Sequence, residues 1–112
     1  MKFIYLIAEL DKEIILSSEE VAYKIGVTKN SINKRIKQLS TGNSKVLHVI
    51  KEFKSEFAYK LESVLHKIFQ DKKINKEFFA LTKEDVNNFI GICQKYENNF
   101  KILENYKINE NS

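Results

Sequence analysis

Glu20-Val21-Ala22-Tyr23-Lys24-Ile25-Gly26-Val27-Thr28 is the stretch whose reading decides the fold. As a strand, it sends Tyr23 and Lys24 to opposite faces of a sheet. As a helix, Ser18-Glu19-Glu20-Val21-Ala22 opens a first helix, and Gly26-Val27-Thr28 turns the chain into a second. Both readings share the next element. A helix is predicted over residues 28–39, capped by Thr28 or Asn30, with Ile32, Ile36 and Leu39 on one stripe.

The residues of this stretch by themselves suit either reading. Phe3-Ile4-Tyr5-Leu6-Ile7 is β-branched and aromatic, bounded by charge, and predicts a first strand. Ile14-Ile15-Leu16 lies in a polar stretch and suggests a short extra strand. Ser40-Thr41-Gly42-Asn43 is a stop-and-turn signal, after which Val46-Leu47-His48-Val49-Ile50 with Phe53 predicts a long strand. His48 is read as structural. Ser55 is placed as the cap of a helix whose stripe is Phe57, Leu61, Val64, Leu65 and Ile68. Residues 71–76 read as a basic loop, and Phe78-Phe79-Ala80-Leu81 as a short strand or extended core contact. Thr82 caps a final helix carrying Val86, Phe89, Ile90, Cys93, Tyr96, Phe100 and Leu103. The expectation is an α+β fold: a small antiparallel sheet of about three strands flanked by helices, with a long C-terminal helix. Residues 1–106 form a single domain in this reading, and 107–112 a frayed, disordered tail.

Composition narrows the function. The chain has 112 residues, 43% hydrophobic and 30% charged, which suits one globular domain. Cys93 is the only cysteine, so neither an intrachain disulfide nor a cysteine-based zinc site is available. No run of about 20 apolar residues would span a membrane. These features predict an intracellular protein, cytoplasmic or nucleoid-associated, with no membrane partner. GxxxxGK[ST], GxGxxG and HExxH are all missing from the sequence. Of 19 basic residues, 18 are Lys and one is Arg35. The charge is uneven along the chain. Residues 1–23 carry a net charge of −3, residues 24–76 carry +9 and residues 77–112 carry −2. A basic middle between acidic ends suits a polyanionic partner, DNA above all. Lys29, Lys34, Lys37, Lys45, Lys72, Lys73 and Lys76 are candidates for phosphate contacts, which confer affinity without sequence choice.

Taken in order, several short motifs resemble those of the GIY-YIG endonuclease superfamily, in its short stand-alone branch, over roughly residues 3–86. They are Phe3-Ile4-Tyr5, Lys24-Ile25-Gly26-Val27-Thr28, Arg35, Gln38-Leu39-Ser40-Thr41-Gly42-Asn43, Glu62-Ser63-Val64-Leu65-His66 and Lys76-Glu77-Phe78-Phe79-Ala80-Leu81. Phe3 stands where the first motif has glycine, and Lys24 where the second has tyrosine. The resemblance implies a metal-dependent endonuclease that hydrolyses DNA phosphodiester bonds. It implies Tyr5 as the group that positions or activates water, Arg35 as the stabiliser of phosphoryl charge, and Glu62 as the single carboxylate ligand of Mg²⁺ or Mn²⁺. Lys24, His66 and Glu77 join them as supporting residues of the catalytic site. The histidine that often follows the arginine is replaced near that position by Leu39.

The chemistry is consistent with the residue types. Phosphodiester hydrolysis needs an activated water and stabilisation of charge on the phosphoryl oxygens. A guanidinium matches those oxygens with a planar fork that an ammonium lacks. Mg²⁺ keeps several waters and needs few protein ligands, which suits one carboxylate. A phenol needs a nearby cation to act as a base at neutral pH, and Lys24 on the paired strand is expected as the electrostatic partner of Tyr5 or as a phosphate contact. His66, one turn after Glu62, is placed to contact phosphate, move a proton or orient Glu62. Glu77 is expected to brace the site through a Lys or through His66. One site per chain implies nicking by a monomer, unless a weak homodimer supplies a second. The alternatives are a helix-turn-helix DNA-binding protein over residues 17–39, in which Ala22, Gly26 and Ile32 keep the usual spacing, and a nuclease-fold DNA binder without catalysis. The helix-turn-helix leaves Tyr5, Glu62, His66 and Glu77 without a role.

Overall fold

In a computed structural model of the chain, residues 2–11, 21–40 and 45–110 are described, with side chains described over 2–9, 21–36 and 46–107. Residues 14–16, the turn at 41–43 and the side chains of Lys37, Leu39 and Lys45 lie outside them. The deciding stretch is a strand. β2 runs Ala22–Thr28, after β1 at Lys2–Asp11, and pairs with it antiparallel. The helix-turn-helix reading fails on this element. The shared helix follows as α1, Ile32–Ser40. Its cap is Ser31, whose Oγ accepts from the Lys34 N–H at 3.3 Å, rather than Thr28 or Asn30.

β3 (Lys45–Ser55) pairs antiparallel with the other edge of β1. α2 spans Ala58–Ile68, followed by a 3₁₀ turn at Gln70–Lys72. β4 (Lys73–Asn75) falls where a basic loop was expected, and forms a small hairpin with β5 (Phe78–Phe79), which lies in the short strand or extended contact expected at 78–81. Among the described residues the sheet has five strands, ordered β3-β1-β2-β5-β4, where about three were expected. β4 is three residues long, too short for a period-two pattern to register. α3 runs Lys83–Glu110, into the segment expected to fray.

β1 is the central strand, and Ile4 through Ala8 are buried on both its faces. Ile4 and Leu6 pack with Ile25, Leu61, Leu65, Phe79 and Phe89 under α2 and α3. Tyr5 and Ile7 pack with Ile32 and Ile36 under α1. Full burial of an apolar side chain contributes about 1.5–3 kcal/mol, so the larger cluster dominates stability. Ser55 Oγ accepts from the Phe57 N–H at 3.0 Å and so shapes the entry to α2, whose cap position is Phe57. Burial pushes the Cys93 thiol up to about 12, which makes it a core group and not a nucleophile. No helix among the described residues is long and apolar enough to cross a membrane.

α3 begins with a reciprocal cap. The Thr82 N–H donates to Asp85 Oδ2 at 2.9 Å, and the Asp85 N–H donates to Thr82 Oγ1 at 3.1 Å. The Lys72 ammonium joins the same carboxylate oxygen. Lys72 was expected to be free for phosphate, but here it ties the 3₁₀ turn to α3. Burial alone would raise the Asp85 carboxyl, but the hydrogen bonds from Lys72 and Thr82 outweigh it and hold it below the usual carboxylate range. Asp85→Asn should therefore cost about 1 kcal/mol, or roughly 4–8 °C in Tm. A lowered pKa stabilises the folded state above the unfolded value and loses that effect as pH falls through the folded one. The Tm difference from wild type should hold at pH 7 and close in acid.

Candidate active site

Tyr5 is placed by strand register and released by a glycine. It lies opposite Gly26 on β2. A Cβ on Gly26 would sit 2.3 Å from the Tyr5 hydroxyl and 2.6 Å from Cζ, so the phenol lies directly over the Gly26 backbone. Only a residue without a side chain allows this. Gly26→Ala should displace the ring, cost about 1–3 kcal/mol through overpacking, and lower any activity that depends on Tyr5 at least tenfold. Thermal melts and nicking rates measure the two effects separately.

Lys24 is on the same face, but opposite Ile7 rather than Tyr5. Its ammonium lies 3.1 Å from Glu77 Oε2 and 5.6 Å from the centre of the Phe78 ring. In place of the expected pairing of Lys24 with Tyr5, Lys24 makes an ion pair with Glu77, for which a lysine was one expected partner. The β4–β5 turn makes this possible. Lys76, with φ of 40°, bends the chain so that the Glu77 carbonyl accepts from the Ile25 N–H at 3.1 Å. Tyr23 joins the cluster under α2 and α3, as the alternation of the strand requires.

α2 brings Glu62 and His66 to the same edge of β2. His66 Nε2 donates to the Ile25 carbonyl at 3.0 Å, since a carbonyl can only accept. The ring also stands edge-on to Phe79, 4.9 Å between centres. These two contacts lock the imidazole and leave Nδ1 facing away from Ile25. Glu62 is half-buried. Burial raises its pKa, His66 opposes the shift, Glu77 adds to it and Lys24 opposes it. Among the described residues no three His, Cys, Asp or Glu side chains gather into a metal-binding group. A single half-buried carboxylate is at most one ligand, and Mg²⁺ or Mn²⁺ there would take its other ligands from water and substrate.

Arg35 sits on α1 between Ile32 and Ile36, at the border of the face packed on Tyr5 and Ile7. Its Nε is buried, with no hydrogen-bond partner among the described residues. An unpaired buried donor normally costs about 1–3 kcal/mol, so the arrangement is unfavourable until an acceptor arrives. The structure gathers Lys24, Glu62, His66 and Glu77 at one edge of β2, with Tyr5 over the adjacent Gly26. No hydrogen bond or ion pair links Arg35 to them among the described residues. Of the lysines expected to meet phosphate, Lys29 and Lys34 are exposed near the start of α1, and Lys73 and Lys76 on the β4–β5 hairpin. His48 is exposed on β3 and has no part in the core.

The family model that matches this chain is that of the T5orf172 domain, over residues 2–94. The chain therefore belongs to the T5orf172 domain family. This corrects the GIY-YIG resemblance read from the sequence, because the match is to the T5orf172 domain and no GIY-YIG match supports the earlier reading. The motifs behind that reading are one arginine and five segments of three to six residues, and a tyrosine-bearing strand or a glutamate-bearing helix suits many small α+β sheets. No curated protein and no solved structure matches the chain. Membership of the family points to a nuclease-like or DNA-binding role, with DNA a plausible partner.

Proposed function

We propose that this protein is a metal-dependent endonuclease that hydrolyses DNA phosphodiester bonds. The observation that carries the reading is the buried, unpartnered Nε of Arg35, the only arginine in the chain. A phosphate oxygen is the natural acceptor for such a donor, and the guanidinium charge is permanent. Tyr5, held over Gly26, positions the attacking water. Glu62 is the residue that would hold Mg²⁺ or Mn²⁺. When bound, such an ion supplies positive charge to the phosphoryl oxygens and acidifies a coordinated water. The Lys24–Glu77 pair fixes the β5 edge beside Glu62, while His66 is held against Ile25 with one nitrogen left to accept. In the reaction a water oxygen bonds to phosphorus, one phosphorus–ester bond breaks, and the departing oxygen takes up a proton. Exposed lysines at the start of α1 and on the β4–β5 hairpin supply backbone contacts without sequence choice.

The test is incubation with supercoiled plasmid and with single-stranded DNA, in Mg²⁺, in Mn²⁺ and in excess chelator. Metal-dependent nicking that chelator abolishes is the expected result. DNA retained in gel shifts, with no nick in either metal, would leave a binding protein without catalysis.

A further inference from the structure

A cavity of about 510 Å³ opens between the start of α1 and strand β3, on the face of the sheet that carries Tyr5. Its volume lies within the range of small-molecule sites. It is separate from the Glu62 edge, and none of the roles proposed above uses it. Its apolar wall includes the half-buried Phe3 ring and Ile50. Ile50 is there because of a bulge: Leu6 pairs with Lys51 and Ile7 with Val49, so Ile50 has no partner on β1. A bulge re-aims the side chain of its extra residue, and Ile50 is 37% exposed as a result. Its polar wall includes Asn33, in the first turn of α1, and Glu52. Lys51 lines it as well, and Lys54 holds its ammonium 5.8 Å from the centre of the Phe3 ring.

An aromatic ring and an aliphatic lip make a slot for a flat π-system. A side-chain amide and a carboxylate present donors and acceptors that match base edges. Ammonium groups beside the slot suit the phosphates flanking such a base. Glu52 is also the cross-strand neighbour of Tyr5, so the slot adjoins the residue proposed to position water. We infer that this cavity holds one unpaired nucleobase of single-stranded DNA, next to the bond that is cut. The inference rests on the proposed endonuclease reading and names the form of DNA it prefers: a strand with an accessible base.

The experiment compares wild type with Asn33→Ala and Ile50→Ser, both at accessible positions, by fluorescence anisotropy in chelator. The probes are a single-stranded 12-mer, the same 12-mer with one abasic position, a blunt duplex, and deoxynucleoside monophosphates as competitors. Each variant should bind the single strand about tenfold more weakly and the duplex within twofold of wild type. A 2-aminopurine in the strand should change its emission on binding to wild type and not to Ile50→Ser. Circular dichroism confirms that both variants fold. If the variants bind the single strand as wild type does, or weaken on both DNA forms equally, the slot is not a base site, and plasmid nicking still stands or falls separately. Tight binding of free monophosphates without any preference for single strands also overturns it. Failure of wild type to bind either DNA form overturns the base site, while nicking of plasmid in metal decides the endonuclease reading.

Discussion

Arg35→Lys should lower plasmid nicking by about 10²–10³-fold and leave the fold intact. Removing a single preorganised donor to a developing charge costs an enzyme on that scale. Lysine keeps the charge, so a site that needs only positive potential would tolerate it. What lysine lacks is a donor at the Nε position, together with the planar fork. In this structure the Nε is the buried atom without a partner. The same observation fixes the sign of the stability effect. An unsatisfied buried donor penalises the free protein, so Arg35→Leu should melt at or above the wild-type temperature while losing activity. A structural arginine would behave in the opposite way, with lost stability and activity falling only in proportion. Melting curves and nicking rates on the same three proteins decide it. Nicking by Arg35→Lys within threefold of wild type would remove Arg35 from the proposed site.

Much of this site was legible because strand alternation and helical spacing are local rules. The pattern of β1 and β2 put Tyr5 and Lys24 on one face and Tyr23 on the other, and the structure agrees. Glu62 and His66, four residues apart on α2, do reach the same edge of β2. What the sequence could not supply was set by register. A register difference of two residues along β2 puts Gly26, and not Lys24, opposite Tyr5, and so frees the Lys24 ammonium for Glu77. The same limit hid the bulge at Ile50, which appears only when β1 and β3, distant in sequence, are aligned. Lys72 looked like a solvated cation in a basic run. Its partner, Asp85, lies at the start of α3, beyond a hairpin whose first strand, β4, is too short to leave a pattern. The final helix shows the converse. Its apolar spacing continued to Leu103, but the core ends near Phe100, and Leu103 is 55% exposed. Periodicity records which residues can face a core and not how far the core extends.

Glu62→Gln should raise thermal stability and abolish metal-dependent nicking, by 10²-fold or more. Burial is the largest influence on the Glu62 carboxyl and raises its pKa; His66 and Lys24 oppose that shift and Glu77 adds to it. The folded state thus holds a proton on Glu62 more readily than the unfolded chain does. Stability from this group is complete at pH below the unfolded value of about 4.3 and is lost as pH rises through the folded pKa. At pH 8 the ionised carboxylate is a burden on the free protein, and glutamine of the same shape removes it. The Tm of Glu62→Gln should therefore exceed that of wild type at pH 8, and the gap should close towards pH 4. A cation reverses the balance, since a ligand bound only to the folded state adds stability in proportion to the logarithm of its concentration. Millimolar Mg²⁺ or Mn²⁺ should raise the wild-type Tm and leave that of Glu62→Gln unmoved. A structural glutamate would give neither the gain at high pH nor the selective response to metal. If Glu62→Gln melts lower than wild type at pH 8 and wild type ignores both ions, the carboxylate is not a metal ligand.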